Sequence, residues 1–375
     1  MNLAQTDVSF EFIDSTEELQ RLCLDLTQHR HIAVDTEFLR ERSFYPRVGL
    51  IQIATTESIY LIDPLCCDLT PFVQVIENPY ICKIMHSMSE DLDVFLAIGA
   101  FEPNNFFDTQ VAASWLGGGL SLSLQKLVQN HIGTLLNKSQ TRTNWLKRPL
   151  SDAQLSYAAE DVQYLLTIHE QQQALLTSIG FKDYLDEENK LLVSISDDDH
   201  DLEYLHHGRA ATMDRSTLNR YQRLLSWRER VARRDDKPKP HLLKDNDVSS
   251  IASMCDSKEK LSQYKFHPAF IRRYLAEITA VLFEANDVDL RPVKRLQDIP
   301  NGKRILTDLK QHLAVIAQNK GIPEEVMPSK RLLEQILKHL YVPWYPRPRQ
   351  WSGWRKSFIL QALDELNISI IPLSE

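Results

Sequence analysis

Between residues 10 and 190, apolar positions follow two different periods that alternate along the chain. Short apolar runs of strand length occur at Phe10–Ile13, His31–Thr36, Val48–Thr55, Ile59–Asp63 and Cys82–His86. Apolar positions recur every three to four residues at Thr16–Gln28, Ser89–Ile98, Thr109–Leu116 and Asp152–Thr177, which predicts helices there. Strands that alternate with helices indicate an α/β domain.

Two of these elements have additional local signals. The apolar runs Leu50–Ile53 and Ile59–Ile62 flank the polar stretch Thr55–Ser58, a pattern typical of a hairpin. The last predicted helix follows Ser151, and Gln154 stands three residues on, which is the spacing of a capping box.

The pattern changes near residue 200. Ser196–His200 is acidic and poor in apolar residues, and every periodic segment beyond it predicts helix. Residues 1–203 hold 13 Lys+Arg and 31 Asp+Glu, a net charge of −18, whereas residues 204–375 hold 30 and 20, a net of +10. An acidic part of this kind could hold cations, and a basic part could hold a polyanion. Two domains with unrelated isoelectric points would give the same numbers.

Cysteine usage and the absence of targeting patterns predict a cytoplasmic protein. No two of the five cysteines form a C-x-x-C pair, so we expect reduced thiols and no zinc site. No basic region followed by an apolar stretch indicates a signal peptide, and no run of about 18 apolar residues predicts a membrane span.

Asp35 and Glu37 stand two residues apart at the end of a predicted strand. The two-residue period of a strand places both side chains on one face. Neighbouring like charges are costly unless a cation lies between them. The same spacing is also common on solvated surfaces, so this pair alone does not establish a metal site.

Asp91 begins the predicted helix that follows the strand ending near His86. Ser87 with Glu90 predicts a cap for this helix, and acids are favoured in a first helical turn by the helix dipole. That structural role would be a sufficient explanation of Asp91. Glu90 and Asp93 are competing acids, and the spacing from His86 does not choose among the three.

Tyr157 and Asp161 are four residues apart in one predicted helix and therefore share a face. An amphipathic helix with a border tyrosine and a surface acid would show the same pattern.

Together, the segments D-T-E-F, H-x-x-x-x-D-L and Y-x-x-x-D resemble the three motifs of the DEDD exonucleases, in the branch with tyrosine in the third motif. The longer segments R-E-R-S-F-Y-P-R-V-G-L-I-Q-I and K-S-Q-T-R-T-N-W-L-K-R-P-L-S resemble the ribonuclease D family in particular. Leu224–Arg228 and Trp351–Arg355 resemble parts of two HRDC modules. The resemblance implies a ribonuclease H-like α/β 3′→5′ exonuclease domain, with a mixed sheet flanked by helices, over residues 1–203. Two all-α HRDC domains would follow over residues 208–293 and 294–375.

The resemblance also implies a mechanism. The chain would be a metal-dependent 3′→5′ exoribonuclease that releases nucleoside 5′-monophosphates. Asp35, Glu37, Asp91 and Asp161 would hold two divalent ions, Mg²⁺ or Mn²⁺, and Tyr157 would orient the attacking water. All five residues are predicted to be catalytic.

The implied partner is RNA, above all tRNA precursors with 3′ extensions, and no obligatory protein partner is evident. Residues that would contact this substrate are Phe38, Gln52, His86, Lys138, Arg142 and Arg148, although core positions or a solvated basic turn would explain them equally well. A dense basic run would add phosphate affinity: Arg223, Arg228, Arg230, Arg233, Arg234, Lys237 and Lys239. A DNA exonuclease of the proofreading type and a non-catalytic RNA-binding scaffold are the alternatives, and the motifs do not separate RNA from DNA.

Overall fold

The computed structural model describes residues 8–136, 140, 143–194, 200–283 and 290–373. Its chain divides into two compact units. The first unit comprises residues 1–40, 46–195 and 314–327, and the second comprises residues 41–45, 196–313 and 328–375. Most of the predicted boundary segment Ser196–His200 lies outside the described residues. The predicted domain limits at 203, 208 and 293 therefore stay predictions.

A six-stranded mixed sheet organises the first unit, in the order β1-β4-β3-β2-β5-β6. Its strands are β1 (Glu11–Ile13), β2 (His31–Leu39), β3 (Arg47–Ala54), β4 (Ile59–Ile62), β5 (Cys82–Met85) and β6 (Phe106–Asp108). The central strand β2 pairs antiparallel with β3 and parallel with β5. All five predicted strands are present, and the antiparallel β3–β4 hairpin is confirmed. The three-residue strand β6 was missed because so short a run has no readable period.

Helices of the first unit surround this sheet. They are α1 (Thr16–Leu26), α2 (Thr70–Glu77), α3 (Ser89–Ala97), α4 (Thr109–Trp115), α5 (Leu124–Ile132), α6 (Asp152–Gln163), α7 (Leu165–Ser178) and α8 (Lys182–Val193). The predicted helix Asp152–Thr177 is two helices, because the chain breaks at Tyr164. The capping box of Ser151 and Gln154 is confirmed, and it fixes the start of α6.

Each face of the sheet is covered by a different set of helices. Buried aliphatic residues such as Val34 and Ile53 pack with α1, α2 and α3 on one face. On the other face, α6 contacts β2, β3 and β4. Its buried residues Ala158 and Ala159 cluster with Leu50 of β3. Alanine side chains let the helix approach the strands closely, and this brings Tyr157 and Asp161 towards β2.

The remaining helices are α9 (Arg215–Arg234), α10 (Lys239–Leu242), α11 (Asp245–Met254), α12 (Lys258–Gln263), α13 (Pro268–Phe283), α14 (Gly302–Lys320), α15 (Lys330–Tyr341) and α16 (Gly353–Glu365). In the described part of the chain after residue 108 there is no strand, so the predicted helical second half is confirmed. Trp227 of α9 is fully buried and meets the rings of Phe270 and Tyr274 edge-on. None of the helices in the described ranges is long and apolar enough to cross a bilayer.

Candidate active site

Three elements bring the four predicted acids of the first unit together. Asp35 and Glu37 lie on β2, opposite Gln52 and Leu50 of β3. Their alternate positions place both carboxylates on the face that α6 covers. Asp161 belongs to α6. Asp91 lies in the first turn of α3, which follows the neighbouring strand β5.

The four carboxylates share a negatively charged environment, in which Asp91 is buried and Asp35, Glu37 and Asp161 are half-buried. Burial and, after it, the nearby charges of Asp35, Asp161 and Asp91 together raise the pKa of Glu37 to about 10. Burial also raises the pKa of Asp161 to about 7. The pKa of Asp35 rises through burial and then through Asp161, and that of Asp91 rises through burial and then through Asp35. Four acids that repel one another in this way take up either protons or cations.

Asp91 is distinguished from its two competitors by burial. Its Oδ1 accepts a hydrogen bond from Oγ1 of Thr36, whose backbone lies between the first two acids. Asp93 pairs instead with Arg40, at 2.5 Å, and both side chains are more than two-fifths exposed. Glu90 is exposed. The structure therefore singles out Asp91 as the acid of α3 that faces the other three.

The predicted cap of α3 is wrong. Met88 is the residue that precedes the helix, and no side chain caps it. Ser87 instead adopts a left-handed backbone conformation, with φ of +63°. Its amide donates to Asp108 at 3.1 Å, so a distant carboxylate takes the place that Glu90 would have had as its acceptor in a local cap.

Tyr157 lies one turn before Asp161 on α6, as the spacing predicts. Its hydroxyl donates a hydrogen bond to the Asp161 carboxylate, and this bond works against the burial that raises the pKa of Asp161. The ring centroid of Tyr157 lies 6.2 Å from that of Trp145. The phenol is thus held at the edge of the acidic cluster.

The segment that leads into α6 is fixed to the sheet by Arg148. Its guanidinium binds both oxygens of Asp63 at 2.5 and 2.6 Å, and it also donates to the carbonyls of Gly49, Trp145 and Lys147. Five hydrogen bonds use all five donors of the side chain. Burial would raise the pKa of Asp63, but the bonds from Arg148 and from the Leu65 amide hold it below its usual value.

Gly49 allows this close contact. A Cβ at this position would lie 2.7 Å from the carbonyl oxygen of Trp145, which is closer than van der Waals contact permits. The Trp145–Arg148 segment can therefore lie directly on β3. This arrangement favours a structural role for Arg148 over the predicted phosphate contact, and the sequence offered no signal for its partner Asp63.

The other predicted substrate residues differ in their surroundings. Phe38 is half-buried, and Lys138 and Arg142 lie outside the described residues. Both ring nitrogens of His86 have partners, the Thr109 hydroxyl at 2.9 Å and the Leu122 carbonyl at 3.0 Å.

Gln52 is the most unusual of these residues. Its side chain is fully buried, and within the described residues neither amide atom has a hydrogen-bond partner. It lies directly across from Asp35, so its amide and that carboxylate are on the same face of the sheet.

The predicted basic run forms α9 and the start of α10 in the second unit, and most of it is neutralised internally. Arg228 is buried and pairs with Asp245 at 2.6 Å. Arg233 and Lys239 both pair with the buried Glu229. Four of its seven members pair with acids, namely Arg228, Arg233, Arg234 and Lys239. Arg223 donates to the backbone carbonyls of Val281 and Leu282, and Lys237 donates to the Tyr274 hydroxyl. The run therefore contributes to the stability of the helical unit, and the buried Arg223 and Arg228 do not offer phosphate contacts. Phosphate binding by its exposed members stays a prediction.

Comparisons with known proteins agree with this arrangement. The sequence model of the family described as 3′-5′ exonuclease matches residues 10–176. The HRDC domain model matches residues 217–282, and the model of the C-terminal HRDC domain of ribonuclease D matches residues 300–363. Ribonuclease D of Desulfotalea psychrophila is 33% identical over 360 residues, which cover 92% of this chain and 96% of that protein. Ribonuclease D of Haemophilus influenzae is 31% identical over 96% of this chain and 94% of its own length.

This chain belongs to the ribonuclease D family. The crystal structure of Escherichia coli RNase D superposes with a TM-score of 0.87 at 28% identity and covers 96% of this chain and 99% of that one. The predicted fold class is therefore confirmed: an exonuclease domain with a mixed sheet, followed by helical HRDC domains. The activity of the family, 3′→5′ exoribonuclease, is the activity of this chain, and its substrate is RNA.

The donor set of the ribonuclease D site fits a divalent cation. Carboxylate oxygens are the ligands that Mg²⁺ and Mn²⁺ prefer, and the four acids here repel one another when no cation lies between them. As they stand, no three His, Cys, Asp or Glu side chains within the described residues are grouped closely enough to hold an ion.

Proposed function

We propose that Asp35, Glu37, Asp91 and Asp161 hold two divalent metal ions, Mg²⁺ or Mn²⁺, and that RNA is cut at this site one nucleotide at a time from its 3′ end. The observation that carries the proposal is the convergence of four acids from three separate elements. Burial raises the pKa of all four, and repulsion from other acids of this site adds to the effect at Asp35, Glu37 and Asp91. Without a bound cation, such an arrangement only destabilises the folded protein.

Each carboxylate has a separate task in this proposal. Asp35, Glu37 and Asp161 would hold one ion, and Asp35 would also reach the second, to which Asp91 contributes directly or through water. Bound ions of this kind lower the pKa of a water molecule and stabilise charge on the attacking and leaving oxygens. Thr36 supports Asp91 by donating to one of its oxygens, which leaves the other oxygen for the ion.

Tyr157 would orient the attacking water. A phenol with an ordinary pKa near 10 is a poor base at neutral pH, so positioning is the larger part of its role. Its hydrogen bond to Asp161 supports this assignment, because it aims the hydroxyl at the carboxylate beside which the water would sit.

The substrates we propose are small structured RNAs with 3′ extensions, above all tRNA precursors, and the products are nucleoside 5′-monophosphates. The E. coli relative is described as an exoribonuclease involved in structured RNA processing. The net charge of +10 on residues 204–375 supports binding of a polyanion, although most of the α9 run is paired. We further propose a cytoplasmic location, which suits five cysteines that all stay free thiols.

For the substrate end, we propose that Phe38 and Gln52 lie closest to the terminal nucleotide. Gln52 faces Asp35, and its amide has no partner within the part of the chain that the structure describes; Phe38 follows Glu37 on the same strand. His86 is better suited to hold its own turn in place, since both of its ring nitrogens are bonded within the domain.

The test is a cleavage assay on a 5′-labelled precursor tRNA with a short 3′ trailer. The wild-type chain is incubated with Mg²⁺, with Mn²⁺ and with a chelator, beside matched single-stranded DNA. Asp35→Asn should lose cleavage, and the matched control Asp93→Asn should keep it, because Asp93 is paired with Arg40 at the surface. Stepwise shortening of RNA that needs metal supports the proposal. Preferential shortening of DNA would move the substrate to DNA, and binding without shortening in either metal would indicate a scaffold.

A further inference from the structure

Asp108 is a buried carboxylate outside the four predicted ligands. It ends β6, is 3% exposed, and caps α4 by accepting from the amides of Gln110 and Val111 at 2.8 and 3.2 Å. The same carboxylate also accepts from the amides of Ser87 at 3.1 Å and Met88 at 2.9 Å. These last two bonds join positions 20 and 21 residues apart in the chain, so they do more than cap a helix.

The turn that Asp108 binds sets the start of α3. Ser87 has a left-handed backbone with φ of +63°, a conformation that costs a non-glycine residue free energy and persists only where neighbours hold it. Two residues later α3 begins, and Asp91 lies in its first turn. Any shift of this turn would move the Asp91 carboxylate away from Thr36 and from the other acids.

A second set of bonds connects the end of β5 and the turn after it with the start of α4. The Thr109 hydroxyl donates to the carbonyl of Met85 at 2.9 Å and also meets Nδ1 of His86 at 2.9 Å. Strands β5 and β6 are parallel neighbours here, with Met85 paired to Asp108. The β5–α3 turn is therefore fastened to the start of α4 at several points, and the Asp108 carboxylate provides two of the bonds.

We propose that Asp108 is a positioning residue for Asp91. It would contact neither metal nor RNA. It would fix the left-handed turn from which α3 begins, and through it the distance of Asp91 from the other three acids. This inference rests on the proposed function, since it assumes that Asp91 is a metal ligand. The competing explanation is that Asp108 caps α4 and contributes to stability alone.

Asp108→Asn separates the two explanations in the full-length protein. Asparagine caps helices about as well as aspartate, so the amides of Gln110 and Val111 keep an acceptor. Its NH₂ group, however, would replace Oδ2 and face the amide donor of Met88, so one of the two bonds that hold the turn is lost and replaced by a repulsive contact. Asp108→Ser is the second variant, because serine also caps well but has a single, shorter oxygen.

The readout is Mn²⁺ binding to the chelator-treated protein, measured by electron paramagnetic resonance, together with the Mn²⁺ dependence of cleavage. We expect both Asp108 variants to weaken Mn²⁺ binding about 10-fold, as for residues that orient metal ligands. In an Asp91→Asn background, Asp108→Asn should cause no further loss, because its effect passes through Asp91. The matched control is Asp214→Asn, which alters the cap of α9 at Thr217 and should leave Mn²⁺ binding unchanged.

Two results would overturn the inference. One is a lower melting temperature in the Asp108 variants with unchanged Mn²⁺ binding. The other is a further loss of Mn²⁺ binding when Asp108→Asn is added to Asp91→Asn. If Asp91→Asn alone changes neither Mn²⁺ binding nor cleavage, the proposed role of Asp91 fails instead, and the two failures are thereby distinguished.

Discussion

Gln52 gives the sharpest test of how the interior of the site is built. A carboxamide that is fully buried and lacks partners among the described residues should destabilise the metal-free protein. We therefore expect Gln52→Met to make the metal-free protein more stable, because methionine has a similar length and volume and needs no hydrogen bonds.

The magnitude follows from the burial of the amide. A buried polar group without a partner costs about 1–3 kcal/mol, and Gln52 is 0% exposed, so little of this cost is relieved by solvent. A gain of about 2 kcal/mol would raise the melting temperature by roughly 4–8 °C for a domain of this size.

The assay is thermal unfolding followed by circular dichroism, in a chelator and again in Mg²⁺. Gln172→Met is the matched control, since Gln172 is also fully buried and its Oε1 also lacks a partner among the described residues, but its Nε2 donates to the Thr109 carbonyl at 3.0 Å. Methionine at position 172 removes one atom without a partner and one hydrogen bond, so the two effects on stability oppose each other. Gln52→Met should therefore raise the melting temperature in the chelator more than Gln172→Met does.

RNA cleavage by the Gln52→Met variant tests whether Gln52 contacts the substrate. If Gln52 reaches the 3′ end of RNA, Gln52→Met should raise the KM for RNA while the protein becomes more stable. A lower melting temperature in the chelator would refute the reasoning, because it would mean that the amide is already satisfied, for example by a buried water. A stabilised variant with unchanged kinetics would remove Gln52 from the substrate contacts.

Three further predictions concern Tyr157, Arg148 and Lys83. Tyr157→Phe should lower kcat about 100-fold or more while the Mg²⁺ concentration for half-maximal activity stays nearly constant, and equal losses in both would contradict an orienting role. Arg148→Lys should lower the melting temperature and kcat with little change in KM, because lysine loses most of the five bonds that Arg148 makes within the domain. A raised KM at an unchanged melting temperature would instead indicate that Arg148 contacts an RNA phosphate. Lys83 is fully buried, and burial lowers its pKa to about 7 from 10.5. Below pH 7, Lys83 is charged in both the native and the unfolded state, and its buried charge lowers the free energy of unfolding by the full amount. This destabilisation decreases as the pH rises from 7 towards 10.5. Urea unfolding should therefore show the stability of the wild type rising relative to Lys83→Met by on the order of 4 kcal/mol between pH 7 and 10, and a constant difference would be evidence against the shift.

The predictions that succeeded depend on neighbours in the chain. The strands around β2, the β3–β4 hairpin and the capping box at Ser151 all follow from spacings of two to four residues. The order of the three motifs was also sufficient to indicate the family. The same spacing rules failed at Ser87, where a distant carboxylate binds the amide instead of a local cap.

By itself, the sequence determined which side chains are available for chemistry: four acids, a tyrosine and a basic second half. The tertiary structure alone decided how those side chains are used. It placed Asp91, and not Glu90 or Asp93, in the buried cluster. It also paired Arg148 with Asp63, which lies 85 residues away in the chain. The physical reason is that periodicity and capping depend on atoms within a few residues, whereas burial and pairing depend on which strands and helices meet. The residue type of a charged side chain therefore does not show whether it binds phosphate, a metal ion or another side chain. Packing decides among these roles.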